Sequence, residues 1–402
     1  MEEAKLASDL MRVIESKNEY YAAFLTKICE IESKSDNKAG VDRVCDAVLE
    51  EGRKLGFSER LFPHPAAGNV ASLTYDPGSK KRIICLSAHM DTVFPEGTFG
   101  YPAVKRDGDI LRGPGVMDCK GGIAVALLIM DALRTIGYRK RPVRFILQSE
   151  EEIQCLMSSG ATLDFLREEA KDSAAFFNLE GREKGKITTR RKGILRAEMT
   201  VHGKAAHAGD YFEGVSAIRA AARKIIRLEE KSIRDGITYN CGIIEGGTAL
   251  NVIPDKCVVR IDIRVGTQSE ADEALTFLRS VADHCDLPGS SAEVRIISSR
   301  KPMERTEQNV ELFRHVDRVC RKYGFGPMTE NFSNGGSDAA YSTLMGIPTI
   351  DDIGVIGDNY HSLNEWCSIS SIAESAKIIA LSILDFPESD EWLSEEGKNE
   401  TH

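Results

Sequence analysis

The sequence predicts an α/β fold into which a smaller α+β module is inserted. Short apolar runs that end in polar residues occupy positions 83–93, 143–147 and 174–179, and such runs are typical of strands in an open α/β sheet. In the middle of the chain apolar and polar residues alternate instead, which is typical of half-buried antiparallel strands. A length of 402 residues exceeds the usual size of one domain and is enough for two hydrophobic cores.

The two ends of the chain have different patterns. Apolar residues recur at helical spacing over 6–32 and 41–55, and we expect both helices to pack on the outer faces of the sheet. Residues 389–402 are acidic and polar, and we expect them to fray.

The run 83–93 carries a histidine and an aspartate two residues apart, His89 and Asp91. Residues two apart share a face of an extended chain, so Asp91 can lie behind His89. A carboxylate in that position fixes the tautomer of a metal-bound imidazole and raises its basicity. For this pair alone, a strand-end histidine bonded to a neighbour is the simpler interpretation, and the segments that follow decide against it.

A glycine-rich loop at 112–122 contains Asp118 and runs into an apolar helix at 123–133. So much glycine beside an acidic residue implies tight turns and close approach of the backbone. A phosphate-binding loop is the competing interpretation, but the spacing matches neither the Walker pattern nor the dinucleotide fingerprint.

Acidic residues follow the other two apolar runs. Glu150, Glu151 and Glu152 come after 143–147, and Glu180 comes after 174–179. In open α/β sheets binding sites lie beyond the carboxyl ends of the strands, so these carboxylates and His89 are expected at one edge. The alternative is that the acidic residues begin solvated helices, since carboxylates favour the first turn of a helix.

The inserted module is predicted from alternating runs at 194–201 and 257–264. Helices are expected at about 214–231 and 269–284, and a last strand near 293–298. These elements form a small α+β sandwich.

Two further motifs, GGSDAA at 335–340 and NYHS at 359–362, complete an ordered series with SAHMDTV, RGPGVMDCKGG, SEEEI, NLE, GKAAHAG and NVIPD. The series spans roughly residues 20 to 385. It resembles the dinuclear-zinc hydrolase superfamily that contains carboxypeptidase G and other glutamate carboxypeptidases, aminoacylase, acetylornithine deacetylase and succinyl-diaminopimelate desuccinylase. The resemblance implies a zinc-peptidase catalytic domain, a mixed sheet flanked by helices, over 1–191 and 300–402. It also implies a ferredoxin-like lid and dimerisation domain over 192–299.

The resemblance implies two Zn²⁺ ions per chain, for which Co²⁺ or Mn²⁺ could substitute. Glu151 is then the general base and Asp91 the residue that orients His89; a base should not itself be a ligand, because zinc would occupy its lone pairs. Three ligating carboxylates and a bridging hydroxide would balance the four positive charges of two Zn²⁺ ions. The implied ligands are His89 and Glu180 for one ion, Glu152 and His361 for the other, and Asp118 for both.

The lid residues are also matched through the resemblance. His207 corresponds to a histidine that reaches an active site, commonly the partner's, and hydrogen-bonds the oxyanion. Asn251 and Arg264 match positions that hold the substrate carbonyl and its free carboxylate, and Gly336 is predicted to line the substrate. The alternatives are a turn histidine for His207 and a solvent-facing charge for Arg264.

The sequence departs from its relatives at two places. Cys119 follows Asp118 where relatives commonly carry Asp or Asn, and a thiolate there could compete for metal. Gln154-Cys155 stands where Gly-Ser is frequent, which affects the shape of the loop more than its ligands.

The composition of the chain narrows the classes of partner that the protein is expected to bind. A net charge of −10 without a basic block argues against nucleic acid and anionic membranes. No apolar stretch approaches a transmembrane span, the N-terminus lacks the hydrophobic region of a signal peptide, and the ten cysteines include no Cys-x-x-Cys pair. We therefore expect a cytoplasmic protein with reduced thiols.

The predicted function is hydrolysis of an amide bond next to a free carboxylate. The spacing from Asn251 to Arg264 and the YHS around His361 are most similar to carboxypeptidase G, which implies release of a C-terminal amino acid, with glutamate as one candidate. Deacylation of an N-acyl amino acid is the alternative. A catalytically silent relative that binds a peptide would be expected to lack a ligand or the base, and every position is filled. The expected partners are a small peptide or N-acyl amino acid and a second copy of the chain.

Overall fold

The computed structural model describes residues 2–389 of the chain, so the C-terminal residues that we expect to fray lie outside it from residue 390 onward. The chain divides into two compact units. The first comprises the chain up to Thr189, Arg305–Phe332 and the chain from Tyr341 onward; the second comprises Arg190–Glu304 and Ser333–Ala340. The predicted insertion at 192–299 falls inside the second unit.

The helices and strands are numbered in chain order. The helices are α1 (Glu2–Cys29), α2 (Lys38–Lys54), α3 (Lys120–Thr135), α4 (Ala161–Ala170), α5 (Ala217–Glu229), α6 (Gln268–Asp283), α7 (Glu307–Tyr323), α8 (Ala339–Leu344) and α9 (Ser370–Leu384), with a 3₁₀ segment at Ala208–Glu213. The strands are β1 (Ser58–Phe62), β2 (Val70–Tyr75), β3 (Ile84–His89), β4 (Lys105–Asp107), β5 (Ile110–Arg112), β6 (Val143–Gln148), β7 (Ala175–Asn178), β8 (Lys186–Arg191), β9 (Gly193–His202), β10 (Ala206–His207), β11 (Thr238–Gly246), β12 (Val252–Ile253), β13 (Lys256–Val265), β14 (Ser291–Arg300), β15 (Thr329–Ser333), β16 (Thr349–Ile350), β17 (Gly357–Asp358) and β18 (Trp366–Ser368).

The main sheet of the first unit has the strand order β1-β2-β6-β3-β7-β16. Strand β3 runs parallel to both β6 and β7, whereas β2 runs antiparallel to β6. All six residues of β3 are buried, as expected for a central strand covered on both faces. The sheet is therefore mixed, and the predicted fold class is confirmed.

Helices cover both faces of this sheet. On one face Cys85, Ile146 and Phe176 pack with residues of α4. The alternate side chains of the same strands pack in the large core that also contains α1, α2, α3 and α9. The sheet thus separates two apolar layers.

The prediction that both N-terminal helices pack on the sheet is correct for α2, which contacts β1 and β2, but it is wrong for α1. Helix α1 packs mainly on α3 and α9. The reason is that α3 is buried from Lys120 to Leu133 and itself covers β3, so the apolar stripe of α1 is buried against helices instead.

The second unit has the order β9-α5-β11-β13-α6-β14 along the chain. Its four strands are antiparallel in the order β11-β13-β9-β14. This is the predicted ferredoxin-like arrangement. The fully buried ammonium of Lys224 on α5 donates to the carbonyls of Val281, Ala282 and His284 at 2.7, 3.0 and 2.6 Å, which satisfies the C-terminal end of α6.

Two other sequence expectations concern the whole chain. All ten cysteines lie within the described residues, and none of them is in a disulfide bond. Among residues 2–389, no helix has the length and apolar content that crossing a bilayer would require.

Candidate metal centre

Three neighbouring strands end at the same edge of the main sheet. His89 is the last residue of β3 and lies opposite Gln148, the last residue of β6. Beyond the strand ends, the Met90 N–H donates to the Gln148 carbonyl at 2.8 Å, and the Leu179 N–H donates to the Ser87 carbonyl at 2.8 Å. The residues that follow, Glu150 to Glu152 and Glu180, are therefore held beside His89.

Asp118 lies between two histidines. Its Oδ1 is 3.0 Å from Nε2 of His89, and its Oδ2 is 3.2 Å from Nε2 of His361. Glu180 approaches His89 to 3.7 Å, and Glu152 approaches His361 to 3.1 Å. The structure thus brings together the five residues that the resemblance implies as ligands, in two histidine-carboxylate pairs that share Asp118.

Asp91 is fully buried behind His89. Nδ1 of His89 is 3.0 Å from the backbone oxygen of Asp91 and 3.2 Å from its Oδ1. The Asp91 carboxylate also accepts the Ser35 hydroxyl at 2.6 Å and the backbone N–H groups of Glu151 and Glu152 at 3.1 and 3.2 Å. One carboxylate therefore orients His89 and fixes the turn that carries the predicted base, and Glu151 itself is buried.

Two buried glutamates have supporting roles that the sequence did not predict. Glu365 accepts the backbone N–H groups of Gly115, Met117 and Asp118 at 3.1, 2.9 and 3.1 Å. Burial and the nearby Asp118 carboxylate raise the pKa of Glu365 to about 7, against the effect of these hydrogen bonds. The sequence carries no signal for Glu365 beyond its place four residues after His361.

Glu150 was the first member of the acidic run and has a structural role. It accepts the backbone N–H groups of Met157 and Ser158 at 2.9 and 3.2 Å and the Thr162 hydroxyl at 2.8 Å. It thereby holds the turns between β6 and α4. The acidic run was interpreted as a source of ligands. It could also have suggested a residue that anchors the backbone, because a buried carboxylate needs several hydrogen-bond donors.

The start of α3 approaches the end of β7 closely. A Cβ on Gly122 would stand 2.3 Å from the Leu179 carbonyl oxygen, and one on Gly121 would stand 2.4 Å from that of Val116. The double glycine thus permits the contact that places Asp118 near Glu180. The buried Cys119 thiol donates to the Leu179 carbonyl at 3.2 Å.

The charges of the cluster act strongly on one another. Burial alone would lower the pKa of His89, but Glu180, Asp118 and Asp91 hold it well above the ordinary value. Hydrogen bonds to Asp118 and Glu152 raise the pKa of His361 to about 10. Burial raises the pKa of Glu152 to about 7 and that of Glu180 to about 8, with repulsion from Asp118 adding to both. Crowded buried carboxylates of this kind favour a cation among them.

The donor set fits divalent transition metals. Ligand atoms of His89, Asp118 and Glu152 lie within 4.8 Å of one another, and so do those of His89, Cys119 and Glu180. Imidazole and carboxylate together suit Zn²⁺, Co²⁺ and Mn²⁺ better than Mg²⁺ or Ca²⁺, which prefer oxygen alone. The residues present therefore fit the metal ions that the resemblance implies.

The predicted substrate residues all lie in the second unit and form two separate pairs. His207 on β10 pairs with Val252 on β12, and the Ala208 N–H donates to the Asn251 carbonyl at 2.9 Å, so His207 and Asn251 are adjacent. Both are exposed.

The other pair is Arg264 and Gly336. Arg264 donates to Asp262 at 2.6 Å and to the Asn334 carbonyl at 3.2 Å. A Cβ on Gly336 would stand 2.5 Å from the side chain of Arg300 and 3.5 Å from that of Ile194, which is the β9 partner of Arg264.

These pairs lie at opposite ends of β9. Arg264 is opposite Ile194, whereas His207 lies beyond the other end, where His202 pairs with Lys256. The eight positions between 194 and 202 span about 26 Å at the usual rise of a strand. The structure brings His207 to Asn251 and Arg264 to the neighbourhood of Gly336, but it does not bring the two pairs together.

A largely buried histidine-carboxylate cluster, with His361 at its exposed side, lies at the carboxyl edge of a mixed sheet in a chain with a ferredoxin-like insertion. This arrangement defines a metallohydrolase of the peptidase and amidohydrolase type. Comparison with known proteins agrees. The chain belongs to peptidase family M20/M25/M40, whose family model matches residues 85–385. The resemblance drawn from the motifs is thereby confirmed.

The individual relatives are named for several different activities. Carboxypeptidase G2 from Pseudomonas sp. strain RS-16 is 28% identical over 373 residues, which cover 90% of this chain and 88% of that protein. Succinyl-diaminopimelate desuccinylase from Wolinella succinogenes is 25% identical over 88% of this chain and 96% of its own. A tripeptidase structure from Staphylococcus aureus has a TM-score of 0.77 at 22% identity and covers 91% of this chain and 97% of its own, which shows a common fold.

Proposed function

We propose that the protein is a dinuclear-zinc exopeptidase that hydrolyses the amide bond next to a free carboxylate and releases a C-terminal amino acid. The observation that carries the proposal is Asp118, whose two oxygens each contact a different histidine, with Glu180 and Glu152 beside those histidines. The similarity to carboxypeptidase G2 over 90% of the chain supports the choice of an exopeptidase.

In the proposed centre His89 and Glu180 would hold one Zn²⁺, Glu152 and His361 would hold the other, and Asp118 would contribute to both. Zinc held by these residues would supply a Lewis acid for the scissile carbonyl and would lower the pKa of a bound water molecule. Glu151 accepts the proton of that water and passes it to the leaving nitrogen. It is suited to this task because its backbone is held by Asp91 while its carboxylate is not needed as a ligand.

Asp91 has a supporting role in this proposal. By accepting the Nδ1 hydrogen of His89 it leaves Nε2 free to bind metal. Because it also holds the Glu151 N–H, the ligand and the base keep a constant separation.

Arg264 is the proposed contact for the free carboxylate of the substrate. Its guanidinium is half-buried and oriented by Asp262, so little side-chain entropy is lost when an anion binds. Gly336 leaves room beside Arg300 and is proposed to line the same pocket.

His207 and Asn251 are proposed to stabilise the oxyanion and the substrate carbonyl in the active site of a second chain. This follows from the separation of about 26 Å between the two ends of β9, which is too long for one bound amino-acid residue to span. A homodimer would supply both pairs to each site.

The surface proposed for this dimer is the β11 edge. Ile243 and Ile244 on this edge strand are about half exposed, and Ile218 and Ile226 on the adjacent α5 are exposed as well. An exposed apolar edge strand is a template for pairing with another strand. The opposite edge, β14, carries charged Glu293 and Arg295, and charge on an edge strand opposes pairing.

Deacylation of an N-acyl amino acid is the second candidate, supported by the similarity to succinyl-diaminopimelate desuccinylase over 88% of the chain. Both reactions need the same metal centre and a substrate with a free carboxylate, so the two candidates differ only in the acyl group that is cleaved from the amino acid. A silent binding relative is disfavoured because the ligand and base positions are all filled. The cytoplasmic location remains a prediction of the sequence.

The test is a panel of dipeptides and N-acyl amino acids, each with a free and an amidated C-terminus. We expect hydrolysis of free-carboxylate substrates alone, with peptides faster than N-acyl amino acids. Chelation should remove activity, and Zn²⁺, Co²⁺ or Mn²⁺ should restore it. Equal rates on blocked and free substrates would contradict the proposal, and faster N-acyl substrates would favour the second candidate.

A further inference from the structure

Glu365 is a fully buried carboxylate in the segment between β17 and β18. Its Oε1 accepts the N–H groups of Met117 and Asp118 at 2.9 and 3.1 Å, and its Oε2 accepts that of Gly115 at 3.1 Å. Three backbone donors on one carboxylate hold the last residues of the glycine-rich loop, including the backbone of Asp118. Charge-assisted bonds of this kind are about twice as strong as neutral ones.

The same segment carries His361. The Glu365 N–H donates to the Ser362 carbonyl at 3.2 Å, and the Gly113 N–H donates to the Glu365 carbonyl at 3.3 Å. The next residue, Trp366, begins β18 and pairs with Arg112 on β5. The His361 segment and the Asp118 loop are thus joined along their length, with Glu365 at the junction.

We infer that Glu365 is a positioning residue for the metal centre, because its carboxylate sets the placement of Asp118 relative to His361. This inference rests on the ligand set of the proposed function. Glu365 is not one of the proposed ligands; it acts through the backbone of Asp118, whose side chain is 3.2 Å from His361.

Metal affinity depends on Glu365 through geometry, since a shift of Asp118 changes both histidine-carboxylate pairs at once. Removing an outer partner of this kind typically lowers metal affinity by about 10- to 100-fold.

The test compares Glu365→Gln, Glu365→Asp and a matched control, Glu30→Gln. Gln keeps the shape but replaces one acceptor oxygen with an NH₂ group, whereas Asp keeps the charge and shortens the reach. Glu30 also accepts two backbone N–H groups of a loop, those of Ala103 and Val104 at 3.0 and 2.9 Å, in the same unit. Zn²⁺ and Co²⁺ affinities are measured by competition with a chromogenic chelator, and thermal unfolding of the metal-free proteins is measured in parallel.

We expect Glu365→Gln to lose metal affinity by about 10- to 100-fold and Glu365→Asp to lose less. At saturating metal the kcat of both variants should return to near the wild-type value. Glu30→Gln should lower the unfolding temperature while leaving metal affinity unchanged.

Unchanged affinity in folded Glu365→Gln would overturn the inference, and so would an equal loss in Glu30→Gln, which would indicate general destabilisation. If Glu365→Gln does not fold, Glu365→Asp decides by the same measurement. Failure of the proposed function would give a different result. Metal affinity would still depend on Glu365, but the wild-type protein would hydrolyse none of the substrates in the panel.

Discussion

At the scale of single residues, the site depends on carboxylates that differ in role although they are the same chemical group. Asp118 faces two histidines, Asp91 accepts hydrogen bonds from the proposed ligand His89 and from the turn of the proposed base, and Glu365 accepts backbone N–H groups. What separates the roles is the number and kind of donors around each one. A carboxylate whose oxygens are occupied by backbone donors is an anchor, and one left facing imidazoles can bind metal.

The role of Glu151 is tested by Glu151→Gln. We expect kcat to fall by about 100- to 10,000-fold, because the amide cannot accept the proton of water. Metal content, measured by atomic absorption, should stay near two ions per chain. Glu152→Gln is the matched comparison, since it should lose metal as well as activity. A folded Glu151→Gln that loses both metals would show that Glu151 is a ligand instead.

The role of Arg264 is tested by Arg264→Gln. Loss of charged hydrogen bonds to the substrate carboxylate, worth about 1.5 to 3 kcal/mol, should lower kcat/KM by about 10- to 150-fold. Arg196→Gln is the control, because Arg196 also pairs with Asp262, at 3.3 Å, on the same sheet. The proposed contact would be wrong if the two variants reduced kcat/KM equally, or if the loss were as large on amidated substrates.

At the scale of secondary-structure elements, strand ends and strand edges carry different functions. The parallel arrangement of β3, β6 and β7 gathers His89, Glu152 and Glu180 at one edge, since parallel neighbours end on the same side. In the second unit the free edges of the sheet differ, because β11 exposes two isoleucines beside Glu245, whereas β14 exposes Glu293 and Arg295. One edge is therefore suited to association and the other is protected from it.

The β11 surface is tested by Ile244→Asp. A charge on this edge should prevent strand pairing, so light scattering should find a monomer that retains its metal ions but has lost activity. Ser291→Asp, on the opposite edge strand β14, should remain dimeric and active. A dimeric Ile244→Asp would place the interface elsewhere on the chain.

At the scale of the whole molecule, the second unit carries proposed substrate residues at two separate ends. His207 and Asn251 lie beyond one end of β9, and Arg264 lies at the other. A chain built in this way cannot use both ends on one small substrate, so the proposed enzyme is complete only as a pair. Activity should then depend on protein concentration near the dissociation constant of the dimer.

Mixing two inactive variants tests this arrangement. A heterodimer of His207→Ala and Glu151→Gln would contain one site with both intact residues if His207 acts in the partner's site. After equal mixing and exchange, about a quarter of wild-type activity should appear, because half of the dimers are mixed and each has one complete site. If His207 acts within its own chain, the mixture will remain inactive.

The sequence by itself determined the fold class and the family, and it predicted the five residues of the candidate metal centre, because these follow from local patterns and from motifs in a constant order. Apolar runs predicted β3, β6 and β7, and His89, Glu152 and Glu180 come at or after the ends of these runs. Asp118 and His361 were identified from motifs instead. The alternation of apolar and polar residues also predicted strands in the second unit, because this pattern depends only on neighbouring residues.

The tertiary structure alone decided which groups support the cluster. Glu365 is 247 positions from Asp118, and only folding reveals that its carboxylate holds that backbone. The packing of α1 on α3 and α9 could likewise not be predicted from the sequence. An apolar stripe indicates that a helix is buried, but it does not indicate which elements cover the stripe. The separation of His207 from Arg264 depends on strand register, which is set by pairing between distant segments and not by the sequence of either one.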